Sequence, residues 1–168
     1  PKPVINSISP INQLCSNDPQ VNLNAIVNYS TSNGETSVWS GAGVIFNLGI
    51  YYFDPLLAGG GTHEVCVTVT DNNGCVEFQC INIIVICPEK PRIFGESDYC
   101  DDLTNNPYLQ TQTGFTDYIW YKDQIIDHGP STWNGVYFYE PVGNYDITVS
   151  FIDDNGCTGT SEVFVLKI

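Results

Sequence analysis

The sequence repeats itself, and its clearest repeated unit is a turn. Asp71-Asn72-Asn73-Gly74-Cys75 returns as Asp153-Asp154-Asn155-Gly156-Cys157. Other matches keep the same order: Lys2-Pro3-Val4-Ile5 returns as Lys90-Pro91-Arg92-Ile93, Cys15 as Cys100, and Ser37-Val38-Trp39 as Tyr118-Ile119-Trp120. Their spacing is about 80 to 90 residues, the size of one small β-sandwich. The chain is therefore expected to fold as two units, 1–87 and 88–168. Pro88 and Pro91 end one strand and stiffen the junction.

Within each copy the local period is two. Val21, Leu23, Ala25 and Val27 alternate with other residues, as do Val65, Val67 and Val69, and Ile147, Val149 and Phe151. That period marks a half-buried strand. Aromatic residues make up 12% of the chain, charged residues only 14%, and Met is absent, a profile suited to short strands rather than helices. The fold class is therefore all-β: two tandem Ig-like β-sandwich modules of about seven strands each. Trp39 and Trp120 are expected in the third strands, pointing inward. Tyr145, just after Gly143, takes the place of a tyrosine corner, and His63 holds that place in the first copy.

The net charge of -14 disfavours nucleic acid and anionic membrane surfaces as partners. The longest apolar run, Ile83 to Cys87, is far short of the roughly 20 residues that span a bilayer. The opening Pro-Lys-Pro-Val has no signal-peptide character, so a mature or excised piece of a longer protein is expected.

Three segments of the second copy carry a family resemblance: Tyr118-Ile119-Trp120-Tyr121-Lys122-Asp123, Gly143-Asn144-Tyr145-Asp146-Ile147-Thr148-Val149, and the Asp153 to Cys157 turn. With them the chain resembles the Ig-like and PKD-like repeats of Bacteroidetes cell-surface proteins, including SprB-like gliding-motility adhesins. The first copy keeps Val67 to Cys75 but has His63 for the tyrosine and Trp39-Ser40-Gly41-Ala42-Gly43 after its tryptophan. It also lacks the Trp-Asp-Phe-Gly-Asp-Gly stretch of a PKD domain. The resemblance implies export by the type IX route and display on the outer surface of a Gram-negative bacterium. It implies neighbouring repeats of the same chain as partners, with surface polysaccharide or other cell-surface proteins as further ones.

Seven cysteines without a Cys-x-x-Cys pair favour disulfides in an oxidising compartment over a metal-thiolate site. Cys66 and Cys80 flank the Asp71 turn almost symmetrically and should pair across a hairpin. For the others two schemes are open. One closes each module, through Cys15–Cys75 and Cys100–Cys157. The other joins the modules through Cys15–Cys157, because turns at opposite ends of one sandwich lie beyond the Cα separation of about 4.4 to 6.8 Å that a disulfide allows. Cys87 is free or junctional under either scheme.

No nucleophile elbow, zincin helix or phosphate-binding loop occurs, so no catalytic residue is assigned and no enzyme is expected. Asp71, Asn73, Asp153 and Asn155, with Asp101 and Asp102, are weak Ca²⁺ candidates; ordinary turn chemistry is the competing reading. No other cofactor is expected. Tyr51-Tyr52-Phe53 and the run from Trp133 to Tyr139 are dense aromatics whose alternate members should fill a core. Trp133, followed by Asn134-Gly135, is the best candidate for a surface contact. The expected function is that of a structural and adhesive repeat pair stiffened by disulfides. The alternative is an accessory or carbohydrate-binding module pair of a secreted hydrolase.

Overall fold

The computed structural model describes residues 2–30, 34–100 and 106–168. Its contacts divide the chain into two units, Pro1–Cys87 and Pro88–Ile168. Each unit is all-β with a core of its own.

In the first unit the strands are β1 (Ile5–Ile8), β2 (Leu14–Cys15), β3 (Val21–Asn22), β4 (Val27–Tyr29), β5 (Thr36–Gly41), β6 (Val44–Asn47), β7 (Ile50–Phe53), β8 (Gly61–Thr70) and β9 (Val76–Ile86). They form sheets ordered β2-β9-β8-β5, β3-β7-β6 and β1-β4. The core draws on both larger sheets, with Trp39, Val65, Val67, Val69, Ile83 and Val85 meeting Leu23 and Phe53. Period-two alternation along β8 is complete: Val65, Val67 and Val69 are fully buried, and the residues between them turn outward.

Two sequence expectations need correction here. The unit has nine described strands rather than about seven. The run from Val21 to Val27 is not one strand, because a 3-10 turn at Leu23–Ala25 interrupts it. Asn22 causes the break: its side-chain oxygen accepts the Ala25 N–H, offering the backbone an alternative to the ladder. Leu23 still reaches the core from the turn and is fully buried.

The second unit contains β10 (Tyr108–Gln110), β11 (Thr116–Lys122), β12 (Ile125–Ser131), β13 (Gly135–Tyr137), β14 (Asn144–Ile152), β15 (Thr158–Thr160) and β16 (Phe164–Lys167). The larger sheet runs β12-β11-β14-β15, with β16 also paired to β14. β15 and β16 thus act as one interrupted partner of β14. Ser161 bridges the interruption: its hydroxyl accepts the Val149 N–H and its own N–H donates to the Val149 carbonyl. Trp120, Tyr118, Phe151, Ile147, Val149 and Leu166 pack with Leu109, Val136 and Phe138 from the β10-β13 side. Trp39 pairs with Val67, and Trp120 pairs with Val149, so the two tryptophans occupy matching places.

Cys66 and Cys80 are directly opposite on β8 and β9 and are joined by a disulfide. Such a bond forms and persists in an oxidising compartment. Among the described residues no helix is long and apolar enough to cross a membrane.

The bridge closes a loop with a sequence separation of 14, which in the chain-entropy account is worth about 3 kcal/mol. The double substitution Cys66→Ala/Cys80→Ala is expected to lower unfolding stability by about that amount, read as a lower denaturant midpoint at unchanged slope.

Candidate functional site

The repeated turns are built alike. Asp71 Oδ1 accepts the N–H groups of Asn73 and Cys75 at 2.9 and 2.8 Å, and Asp153 Oδ1 accepts those of Asn155 and Cys157 at 2.9 Å each. Gly74 and Gly156 both take φ of +80°, which a side chain would resist. In each turn one oxygen of the aspartate that is a Ca²⁺ candidate is committed to the backbone. Asp101 and Asp102 lie outside the described residues. Among the described residues the one cluster with three metal-capable side chains is Glu64, Cys66 and Cys80, and its two sulfurs are bonded to each other.

The corner positions also match. Tyr145 Oη donates to the Pro141 carbonyl at 2.8 Å, and His63 Nε2 bonds the Gly59 carbonyl at 2.8 Å. Each bond reaches back four residues. Because a carbonyl only accepts, the His63 proton sits on Nε2.

Among the cysteines, Cys75, Cys87 and Cys100 are exposed free thiols. The scheme that closes each module through Cys15–Cys75 and Cys100–Cys157 is thereby corrected. Cys15 pairs with Ile86 at the far end of β9, whereas Cys75 sits in the turn before β9 begins. The strand between them spans roughly 35 Å. Cys100 follows Tyr99, which bonds Lys167 opposite the start of β14, and Cys157 adjoins Thr158, opposite its end. No disulfide reaches across a strand length.

The second unit also carries an exposed aromatic cleft of about 450 Å³. β10 and β13 pair so that Leu109 and Val136 face the core, while Tyr108 and Tyr137 face solvent. Their rings stand 4.7 Å apart, and Tyr139 follows 6.5 Å from Tyr137. Trp133, 78% exposed, lines the same cleft with His128. Gly135 makes room for the arrangement, since a Cβ there would collide with the Tyr108 phenol. Phe138 is buried, so the run from Trp133 to Tyr139 divides between core and surface. The same holds for Tyr51-Tyr52-Phe53, where Phe53 is fully buried and the tyrosines are half-buried.

The sequence points to Trp133 and to the aromatic run from it to Tyr139, but not to Tyr108 or His128 as neighbours of that run. Outward placement of Tyr137 and Tyr139 was available from the period of two around Val136 and Phe138. Tyr108 joins them only through the β10-β13 pairing, which no local pattern announces.

No protein-family model matches the chain, and no curated protein matches it. Among solved structures, fibronectin(III)-like modules of Clostridium thermocellum CbhA are similar at 11% identity, covering 99% of this chain and 92% of that one, with a TM-score of 0.41. The Ig1-2 module of the Drosophila receptor protein tyrosine phosphatase DLAR is similar at 12% identity, covering 99% and 98%, with a TM-score of 0.39. Drosophila N-cadherin EC1-4 reaches a TM-score of 0.44 at 9% identity, covering 99% of this chain and 49% of that one. The fold rests on the strand pairing. Likeness this distant carries no functional argument.

The Asp71 turn makes stability depend on pH. Its carboxyl is held below the ordinary value of 3.8, first by the Cys75 N–H and less by that of Asn73, with burial opposing. A depressed folded pKa contributes stability that is complete above the unfolded pKa and is lost as pH falls through the folded one. Asp71→Asn keeps an accepting oxygen but not the charge. In thermal melts from pH 6 to pH 2 the wild type is expected to melt above this variant at pH 6, with the gap closing on the acid side.

Proposed function

We propose that this chain is a non-enzymatic structural and adhesive repeat pair of a large surface protein of a Gram-negative bacterium. The sequence resemblance given above supports a type IX-exported parent of the SprB-like gliding-motility kind. The observation that carries the reading is the shared scaffold. 82 positions separate His63 from Tyr145 and Asp71 from Asp153, and each pair makes the same hydrogen bonds. A unit repeated at the level of single hydrogen bonds suits a protein built by adding copies. Surface display agrees with the Cys66–Cys80 disulfide.

Stiffness in this reading comes from an interdomain bridge, Cys15–Cys157. Two observations, one inside each unit, support it. Cys15 is the register partner of Ile86, at the end of the first unit. Gly159, two residues after Cys157, lies against the Glu89 carbonyl, at the start of the second. Ile86 and Glu89 are three residues apart, so the chain between them spans at most roughly 11 Å. Each cysteine thus lies, within its own unit, beside the stretch of chain that leads to the boundary.

Non-reducing peptide mapping tests the bridge. The expected links are Cys15–Cys157 and Cys66–Cys80, and alkylation without reductant is expected to label only Cys75, Cys87 and Cys100. A Cys15–Cys75 link, or five labelled cysteines, rules it out. The alternative, an accessory module pair beside a secreted hydrolase, draws on the aromatic cleft of the second unit.

A further inference from the structure

We propose that the cleft formed by Tyr108, Trp133, Tyr137 and Tyr139, with His128 at its side, binds a neutral pyranose oligosaccharide. This names a ligand for the adhesive part of the function proposed above and rests on that part alone.

The rings are not core residues that failed to fit. The adjoining positions Leu109, Val136 and Phe138 fill the core, and the tyrosines on the opposite face leave 39 to 72% of their surface in water. Contiguous exposed aromatics at one place on a small domain mark a binding surface. The site is also held in shape. Trp133 donates its N–H to Ser131 Oγ at 3.0 Å. Asn134 is clamped to Thr111 from both sides: its carbonyl accepts the Thr111 N–H at 2.8 Å and its side-chain amide donates to the Thr111 carbonyl at 2.5 Å. The His128 ring stands edge-on to buried Phe138 at 6.0 Å, and Asp127 engages its Nδ1 at 2.5 Å, so Nε2 is the ring atom left for a ligand. A rigid site binds without paying to order itself. The volume, about 450 Å³, is within the range of small-molecule sites.

Chemistry narrows the ligand. No lysine or arginine lines the cleft, and next to its lining residues His128 and Tyr139 stand two carboxylates, Asp127 and Glu140, that share one cation, Lys122. That surplus of negative charge, on a chain of net charge -14, repels phosphate and uronate, although bases also stack on aromatic platforms. A quaternary ammonium ion needs rings facing inward around a point. Here Tyr108 and Tyr137 pair across two strands and Tyr139 follows two residues along from Tyr137, with tilts of 44° and 38° between neighbours. Exposed ring faces carrying phenolic hydroxyls, with an imidazole nitrogen beside them, match the faces and hydroxyls of neutral sugar rings. Their C–H faces meet the negative π faces and their hydroxyls meet the polar edges.

Trp133 supplies the readout, because Trp39 and Trp120 are buried. The 168-residue chain is titrated with soluble neutral oligosaccharides of β-linked glucose, mannose and xylose, and separately with choline, following tryptophan emission and heat. The expected result is saturable binding of at least one oligosaccharide, a shift in emission, and roughly tenfold or greater weakening in both Trp133→Ala and Tyr137→Ala. Phe46→Ala, an exposed aromatic change in the first unit, is expected to bind as the wild type does. No response to any of these sugars overturns the proposal, as does binding that ignores both cleft substitutions. A response to choline alone replaces it with a cation site. The cysteine map is independent of this titration, so a chain that keeps Cys15–Cys157 and binds no sugar loses only the cleft.

Discussion

In each unit one central strand is held at both ends by side chains that bond backbone. At its start a ring reaches back four residues, His63 to Gly59 or Tyr145 to Pro141. At its end an aspartate, Asp71 or Asp153, gathers the N–H groups of the following turn. Eight positions separate the two anchors in both copies, an even number. With a side-chain period of two, everything between them is assigned a face: Val65, Val67 and Val69 in one unit, Ile147, Val149 and Phe151 in the other, all inward. A slip of one residue would expose all three and would have to break an anchor to do so. The tryptophans sit opposite Val67 and Val149, so their burial follows from the same register.

This explains what the sequence discloses. The anchors and the alternation between them are local, so the repeat, the strand faces and the Cys66–Cys80 pair could be read before any coordinates. The first unit was harder in its first half. Asn22 converts an alternating run into a 3-10 turn through one side-chain bond, and a polar residue inside such a run does not declare whether it faces water or captures the backbone. The strand count erred for the same reason: β6 and β7 form a short hairpin whose Ile45-Phe46 and Tyr51-Tyr52 pattern is not a clean alternation.

The candidate site was legible along the run from Trp133 to Tyr139 and not beyond it. Trp133 stands out because Asn134-Gly135 follows it. The cleft requires Tyr108 as well, and that depends on β10 meeting β13 across more than twenty residues of chain. Long-range pairing is decided by the whole sheet, which no short window contains. Gly135 carries a trace of it, since the phenol of Tyr108 occupies the space where a side chain would stand. Such a glycine, in a strand and without need of a turn, is a sign of close approach that the sequence shows but does not explain.

The turn cysteines show how one scaffold yields different chemistry. Cys75 and Cys157 hold the same place, each donating its N–H to the turn aspartate. Yet Cys75 is an exposed thiol, while Cys157 is 1% exposed. The turn cannot be the cause, being the same in both. In the second unit the backbone near Glu89 to Pro91 also lies against Gly159, two residues after Cys157. The same separation of scaffold from surface operates along Val136 to Tyr139, where alternate residues fill the core and leave the others free to change. A repeat whose register is held from its ends can therefore vary its sulfurs and its rings without losing its fold. That freedom lets the second copy carry its aromatic cleft on the shared scaffold.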